Sequence, residues 1–289
     1  MTGVIDAHID AEIEVQFNMR ALRPDFETGM LQEWIARSAA FRSRAGCQLD
    51  LAYGPGERDR IDLFPAKADD SPLLVFFHGG YWQRGDKSLY SFVAEPFVEH
   101  GISVALVNYT LCPAVRVEQI VGQAQCALAW LWRQTPVLQC TRKRWIVAGH
   151  SAGAHLAARM MATHWPGLAD DLPSHMLHGA LLVSGLYDLE PLCPTSVNQD
   201  LRMSPGEARA ASPLRHPPAT DATQWLAVGS AETAEFHRQA ACYARAFETP
   251  RRRMPLHAVD GCDHLDVLQA LADPTHPFFL DALAFIANL

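Results

Sequence analysis

The sequence predicts an α/β architecture, a mostly parallel, doubly wound sheet with helices on both faces. Three observations predict it. Short apolar runs alternate with longer helical segments from Leu73 onward, and such alternation lays parallel strands side by side with crossover helices between them. Glycines stand at the strand ends, as at Gly79, Gly149 and Gly229. The chain has 289 residues, 49% of them hydrophobic, enough for one sizeable core, so residues 1–289 are expected to form a single domain.

The elements follow in order. Residues 1–46 form a polar prelude with helical periodicity, clearest over Gly29–Ala40, and are expected to pack on the core. Two short strands are expected near Gln48–Tyr53 and Arg60–Phe64. Leu73–Phe77 is a continuous apolar run, too short for a helix and rich in strand formers. A helix near 88–99, a strand at 102–107, a helix at 116–134, a strand at 145–148 and a helix at 152–164 come next. Later strands are expected at Ala180–Ser184, Gln224–Val228 and Met254–Val259. The segment from Pro191 to Pro218 carries six prolines, which reads as a lid-like excursion over 189–218 above the strand ends.

Chemistry concentrates at three strand ends. Gly149-His150-Ser151-Ala152-Gly153 lies between a buried strand and an Ala/Leu-rich helix. G-x-S-x-G in that setting is the nucleophile elbow of an α/β-hydrolase, with Ser151 as nucleophile. The flanking glycines answer a strained turn that leaves no room for neighbouring side chains. Upstream, the Leu73–Phe77 strand runs straight into His78-Gly79-Gly80-Tyr81-Trp82. In this fold that loop gives the oxyanion hole a backbone N–H, and the residue after the nucleophile gives another. The candidate donors are Gly80, Tyr81 and Ala152.

A general base should lie just beyond the last strand. Of 13 histidines, only His264 combines a late position, a glycine-bearing loop before it and an apolar helix after it; His276, in a proline-flanked turn, is the fallback. The acid should fall between nucleophile and base in chain order. Glu232 follows the Gln224–Val228 strand and is the first choice. Asp188, after the preceding strand, is the alternative, and Glu235 is expected one turn into the next helix, facing solvent. Asp260, Asp263 and Asp266 sit too close to His264 in sequence and are read as caps of the last helix.

Composition excludes several functions. A net charge of −8 without a basic stripe argues against nucleic acid as a partner. Arg251-Arg252-Arg253 reads as a solvated turn. Seven cysteines without close pairing suggest neither a disulfide framework nor a zinc site, and no metal or cofactor is expected. Cys126 and Cys242 are read as small core residues, and Cys262 as an oxidation-sensitive thiol near the base. No secretory leader or membrane-length apolar run is evident, so the expectation is a cytoplasmic enzyme acting on a small molecule, away from membranes. The sequence permits a homodimer.

A family resemblance can now be stated. His78-Gly-Gly-Tyr-Trp-Gln83, the elbow at Ser151, Glu235-Phe-His-Arg-Gln239 and Gly261-Cys-Asp-His264-Leu-Asp266 resemble the α/β-hydrolase type of kynurenine formamidase (arylformamidase). Ser184–Leu192 with Thr195–Asn198 is similar to that family too, and the resemblance spans about residues 10 to 275. It implies Ser151 as nucleophile, His264 as base and, just before the EFHRQ-like stretch, Glu232 as acid. Glutamate there departs from the family's usual aspartate. The separate, metal-dependent kind of kynurenine formamidase has a histidine-rich signature that this chain does not show.

The implied reaction is hydrolysis of N-formylkynurenine to kynurenine and formate. Trp82 and Tyr187 are then candidates for the aromatic wall of the pocket, and Arg84 or Arg202 for a substrate carboxylate. Two rivals remain. A carboxylesterase or broader arylamide hydrolase would use the same triad. A non-catalytic hydrolase-fold binding protein usually lacks one triad member, whereas all three candidates are present here.

Overall fold

The strands read as unbroken apolar runs because both faces of the sheet are covered. The computed structural model describes residues 9–44, 46–68, 70–138 and 144–289. Its strands are β1 (Gln48–Ala52), β2 (Arg60–Phe64), β3 (Leu73–Phe77), β4 (Ser103–Val107), β5 (Trp145–His150), β6 (Gly179–Val183), β7 (Thr223–Gly229) and β8 (Leu256–Val259). They form one sheet in the order β1-β2-β4-β3-β5-β6-β7-β8. β2 pairs antiparallel with β1 and with β4, and every pairing from β4 to β8 is parallel. This is the α/β-hydrolase fold that the sequence predicts.

Successive strand residues point to opposite faces, and β3 shows the result. Leu73, Val75 and Phe77 enter one apolar cluster, while Leu74 and Phe76 enter the other. β5 runs two residues beyond its expected end, through His150, and is buried along its length.

The helices are α1 (Ala11–Phe17), α2 (Met19–Leu22), α3 (Met30–Arg42), α4 (Ser91–Glu99), α5 (Val117–Leu138), α6 (Ala152–Met161), α7 (Asn198–Leu201), α8 (Pro205–Ala211), α9 (Ala234–Phe247), α10 (Asp266–Leu271) and α11 (Pro277–Ala287). Every residue of α6 is buried, which its Ala-rich sequence makes possible. α3 docks on α4 through Trp34, whose ring stacks on Phe92 at 5.0 Å. None of the described helices is long and apolar enough to cross a membrane.

The excursion between β6 and β7 consists of α7 and α8 with single 3-10 turns on either side, Glu190–Leu192 and Pro213–Arg215. Its prolines fall where they cost least: Pro205 opens α8 behind Ser204, which forms a capping box with Glu207. Glu14 in α1 ties the excursion down, its carboxylate accepting from both the amide and the hydroxyl of Ser196.

One expectation about cysteine needs correction. Cys126 is exposed and Cys242 half-buried; each lies toward the outer side of its helix, because the core side of α5 and α9 is already filled by larger residues such as Leu128 and Tyr243.

Candidate active site

The loop from β5 into α6 sets Ser151 at φ 57°, ψ −120°, a left-handed conformation that strains a residue with a side chain. The Ser151 N–H donates to Val183 O of β6 at 2.9 Å. Steric demand explains the glycines around it. A Cβ on Gly153 would lie 1.9 Å from the carbonyl oxygen of Phe77, and one on Gly149 would lie 2.2 Å from the main chain of Gly153. The first turn of α6 therefore rests directly against the ends of β3 and β5.

The loop after β3 comes up beside this turn. A Cβ on Gly79 would be 3.3 Å from Ser151 Cβ. Gly80 takes φ 116° and accepts from the amides of Gln83 and Arg84, closing a tight turn. Among the described residues, the amides of Gly80, Tyr81 and Ala152 make no hydrogen bond within the protein. Buried amides are nearly always paired, so these free donors beside Ser151 suit an incoming anionic oxygen.

Behind the loop, His78 lies between the rings of Tyr90 and Tyr109, at 5.4 and 4.3 Å. Asn108 joins this wall to Arg58 and Asp86, and Arg58 also donates to Gly85 O at 2.7 Å. The loop is thus pinned from beneath by a buried polar network.

Glu232 and His264 meet at the carboxyl end of the sheet. His264 Nδ1 donates to Glu232 Oε2 at 2.7 Å, and the Glu232 side chain is fully buried. Glu232 Oε1 accepts from Gly229 N–H at 2.7 Å and from the hydroxyl of Ser184. A carboxylate with both oxygens occupied in this way can only accept, so the proton of His264 sits on Nδ1 and leaves Nε2 bare. Phe236 packs against the His264 ring with centroids 4.4 Å apart.

The competing acids lie elsewhere. Asp188 faces the amide of Glu190 and Arg238. Glu235 is half-buried, in an ion pair with Arg238 and accepting from Gln239, so the expectation that it faces solvent does not hold. Asp263 accepts from the amides of Leu265 and Asp266 at the start of α10, as a cap should. His276 caps α11 through the amide of Phe278.

Ser151 and His264 line one cavity of about 500 Å³, together with Gly80 and Tyr81. Its aromatic wall differs from the expected one. Trp82 is completely buried, edge-on to His155 at 4.8 Å, and Tyr187 stacks on Tyr243 at 4.4 Å; neither lines the cavity. In the turn after Gly80, Tyr81 faces the cavity and bonds to Phe17 O, while Trp82 enters the core. The wall consists of Phe17, Phe26, Trp34, Tyr81 and Tyr90. Three of these belong to the N-terminal segment, whose helical periodicity was the only signal pointing to them. Of the two candidate arginines, Arg84 lines the cavity and Arg202 does not; Arg202 ends α7 in a left-handed turn.

A strained serine between strand and helix, free amides around it and a histidine–carboxylate pair at the same cavity define an α/β-hydrolase. Comparison with known proteins narrows the class. Residues 61–174 match the BD-FAE family. The kynurenine formamidase of Danio rerio is 32% identical over 251 residues, covering 83% of either chain, and that of Drosophila melanogaster is 31% identical over 233 residues, covering 77% of this chain and 76% of the relative. The chain belongs to the kynurenine formamidase family. Among solved structures, a proposed thioesterase from Silicibacter sp. TM1040 superposes with a TM-score of 0.77 at 32% identity, covering 89% of this chain and 92% of that one. Esterase B of Lactobacillus rhamnosis superposes at 0.69 with 15% identity over 94% of this chain and 96% of its own, a likeness of fold. The chain is a hydrolase related to kynurenine formamidases and esterases.

Three buried histidines around the site make the fold acid-sensitive. Burial pushes His78 down to about 4 and His155 down to about 3, and holds His150 well below the ordinary range. In the unfolded chain each titrates near about 6.5. Below that pH the unfolded state takes up protons that the folded state refuses, so stability falls from about pH 6.5 down to about 4 on account of His78 and on to about 3 on account of His155. For His78 alone the full loss is about 3 kcal/mol. Urea unfolding at pH 7.5 and pH 5 should show a drop of several kcal/mol in all; equal midpoints would mean that these rings are not held neutral.

Proposed function

We propose that this chain is a serine hydrolase that removes a small acyl group from an aryl amide, foremost N-formyl-L-kynurenine, releasing L-kynurenine and formate. The observation that carries this reading is the Glu232–His264 hydrogen bond of 2.7 Å at the cavity that Ser151 also lines. Similarity to kynurenine formamidases over 77–83% of the chain supports the choice of substrate.

In this reading Nε2 of His264 accepts the hydroxyl proton as Ser151 Oγ attacks the formyl carbon. The carbonyl electron pair moves to oxygen, and the free amides of Gly80, Tyr81 and Ala152 receive it; one such donor is typically worth about 2.7–4 kcal/mol in the transition state. His264, now an imidazolium, is stabilised by Glu232. It returns its proton to the anilide nitrogen as the C–N bond breaks, leaving a formyl ester on Ser151. Water then attacks that ester, giving its proton to His264. Formate departs as Ser151 recovers the proton.

The cavity suits a leaving group with an aromatic ring and an acidic head. Arg84 lines it with no carboxylate at ion-pair distance among the described residues, and burial, then the like charge of Arg20, lowers its pKa. An under-compensated cation is a natural partner for the carboxylate of an amino-acid substrate. A second reading, hydrolysis of carboxylic or aryl esters by the same groups, draws on the 32% identity to the proposed thioesterase.

The kcat/KM for N-formyl-L-kynurenine should exceed that for p-nitrophenyl acetate and, more so, butyrate, with Ser151→Ala inactive on all three. Fast ester turnover with none of the formyl anilide would transfer the assignment to the ester reading. Glu232→Gln should lower kcat by about 10³-fold or more, because an amide can hold the wrong imidazole tautomer; a loss below about tenfold would leave the acid unassigned. Arg84→Gln should raise KM for N-formyl-L-kynurenine about tenfold, with a smaller effect on p-nitrophenyl acetate, which has no carboxylate. Equal effects on both substrates would remove Arg84 from carboxylate binding.

A further inference from the structure

His264 is carried by an edge strand, far in the sheet from the serine it is to serve. β6 and β7 lie between β5 and β8, and three strand spacings amount to about 14 Å. The loop after β8 must therefore reach back across two strand ends, and small errors in that reach would displace the imidazole. The Glu232 bond holds the ring from the β7 side. A second contact holds the main chain from the β5 side: His150 Nε2 lies 2.7 Å from the carbonyl oxygen of His264.

Chemistry fixes the direction of this bond. A backbone carbonyl only accepts, so Nε2 of His150 carries the proton and donates it. The other nitrogen of His150 has no hydrogen-bond partner, and it faces Gly79 closely enough that a Cβ there would lie 3.0 Å away. The ring is buried, and its centroid is 4.6 Å from that of His264. Leaving one buried nitrogen unpaired is destabilising, a cost that an apolar side chain at this position would avoid. Burial, with the neighbouring His264 second, holds the ring neutral. It can therefore stand beside an imidazolium without repelling it.

The contacts close into a loop across the strand ends. The Ser184 hydroxyl, after β6, donates to Glu232, after β7. Glu232 accepts from the His264 ring, after β8, and the His264 carbonyl accepts from His150 at the end of β5. Ser151, the next residue, donates its amide back to Val183 in β6.

We propose that His150 is a positioning residue for His264, its Nε2–H anchoring the main chain of the base to the elbow that carries Ser151. The proposal rests on the reading of His264 as the base. It assigns to the second residue of the G-x-S-x-G motif a requirement for a hydrogen-bond donor of histidine-like reach, beyond mere bulk.

The test compares His150→Phe, which keeps a ring and loses the donor, with His150→Gln, whose amide N–H can restore it. Both are assayed on N-formyl-L-kynurenine and p-nitrophenyl acetate, with thermal unfolding as the check on folding. His150→Phe should lose about 10²-fold in kcat at nearly unchanged KM, as expected for a displaced catalytic group, and His150→Gln should recover most of it. Labelling of Ser151 by a fluorophosphonate should slow and recover in parallel. If His150→Phe does not fold, His150→Met, without a donor, replaces it against His150→Gln. Wild-type kcat in a donor-less variant, or equal losses in Gln and donor-less variants, would overturn the proposal. Failure of the underlying reading would show separately, as activity surviving in His264→Ala.

Discussion

The site depends on one close approach, that of the first turn of α6 to the end of β3. The main chain of Gly153 comes so near Phe77 that no side chain fits between them. That contact lets the chain leave β5 and enter a helix within a single residue, and that residue, Ser151, bears the strain. It also brings Ser151 beside the loop after β3, where amides stand without partners. The nucleophile candidate and the free donors therefore come from one packing event. The histidine and carboxylate arrive by separate loops, fastened by hydrogen bonds and by the close approach of Gly229 to Cys262.

How much of this was legible in the sequence follows from how local each feature is. β3 is visible as five apolar residues, and the elbow as two glycines around a serine, because each is dictated by its immediate neighbours. Glu232 and His264 could be ranked first because chain order and strand ends are properties of the fold class, and the structure brings these two together. Asp188 could not be dismissed from sequence: it too follows a parallel strand, and only the direction of its side chain, toward Arg238, separates it from the histidine. Trp82 and Tyr187 show the same limit. Adjacent residues in a left-handed turn diverge, so Tyr81 lines the cavity and Trp82 is core. Periodicity carries no information about that.

The cavity walls were the least legible part. Phe17, Phe26 and Trp34 reach the site from a segment that precedes the first strand, through contacts with residues far along the chain, Trp34 with Tyr90 and Phe92 and Phe17 with Tyr81 and Phe236. Arg23, in the same segment, pairs with Asp263 and Asp266 on either side of His264. No local pattern encodes such pairings; they exist only once the segment has docked. Cys126 illustrates the converse, since a residue that is small and apolar on average reads as core although its helix turns it outward.

Most of the wall and the candidate machinery therefore have different owners. The candidate reactive groups stand at the ends of β3, β5, β7 and β8, on a frame common to hydrolases of many kinds, while three of the five rings come from the segment carrying α1–α3 and further lining from the excursion carrying α7. Selection can remodel either without dismantling the other. A lineage could thus change what it digests by exchanging its leading segment, with its bond-breaking apparatus inherited whole, and relatives that share the strand-end motifs can diverge in diet while looking alike at the serine.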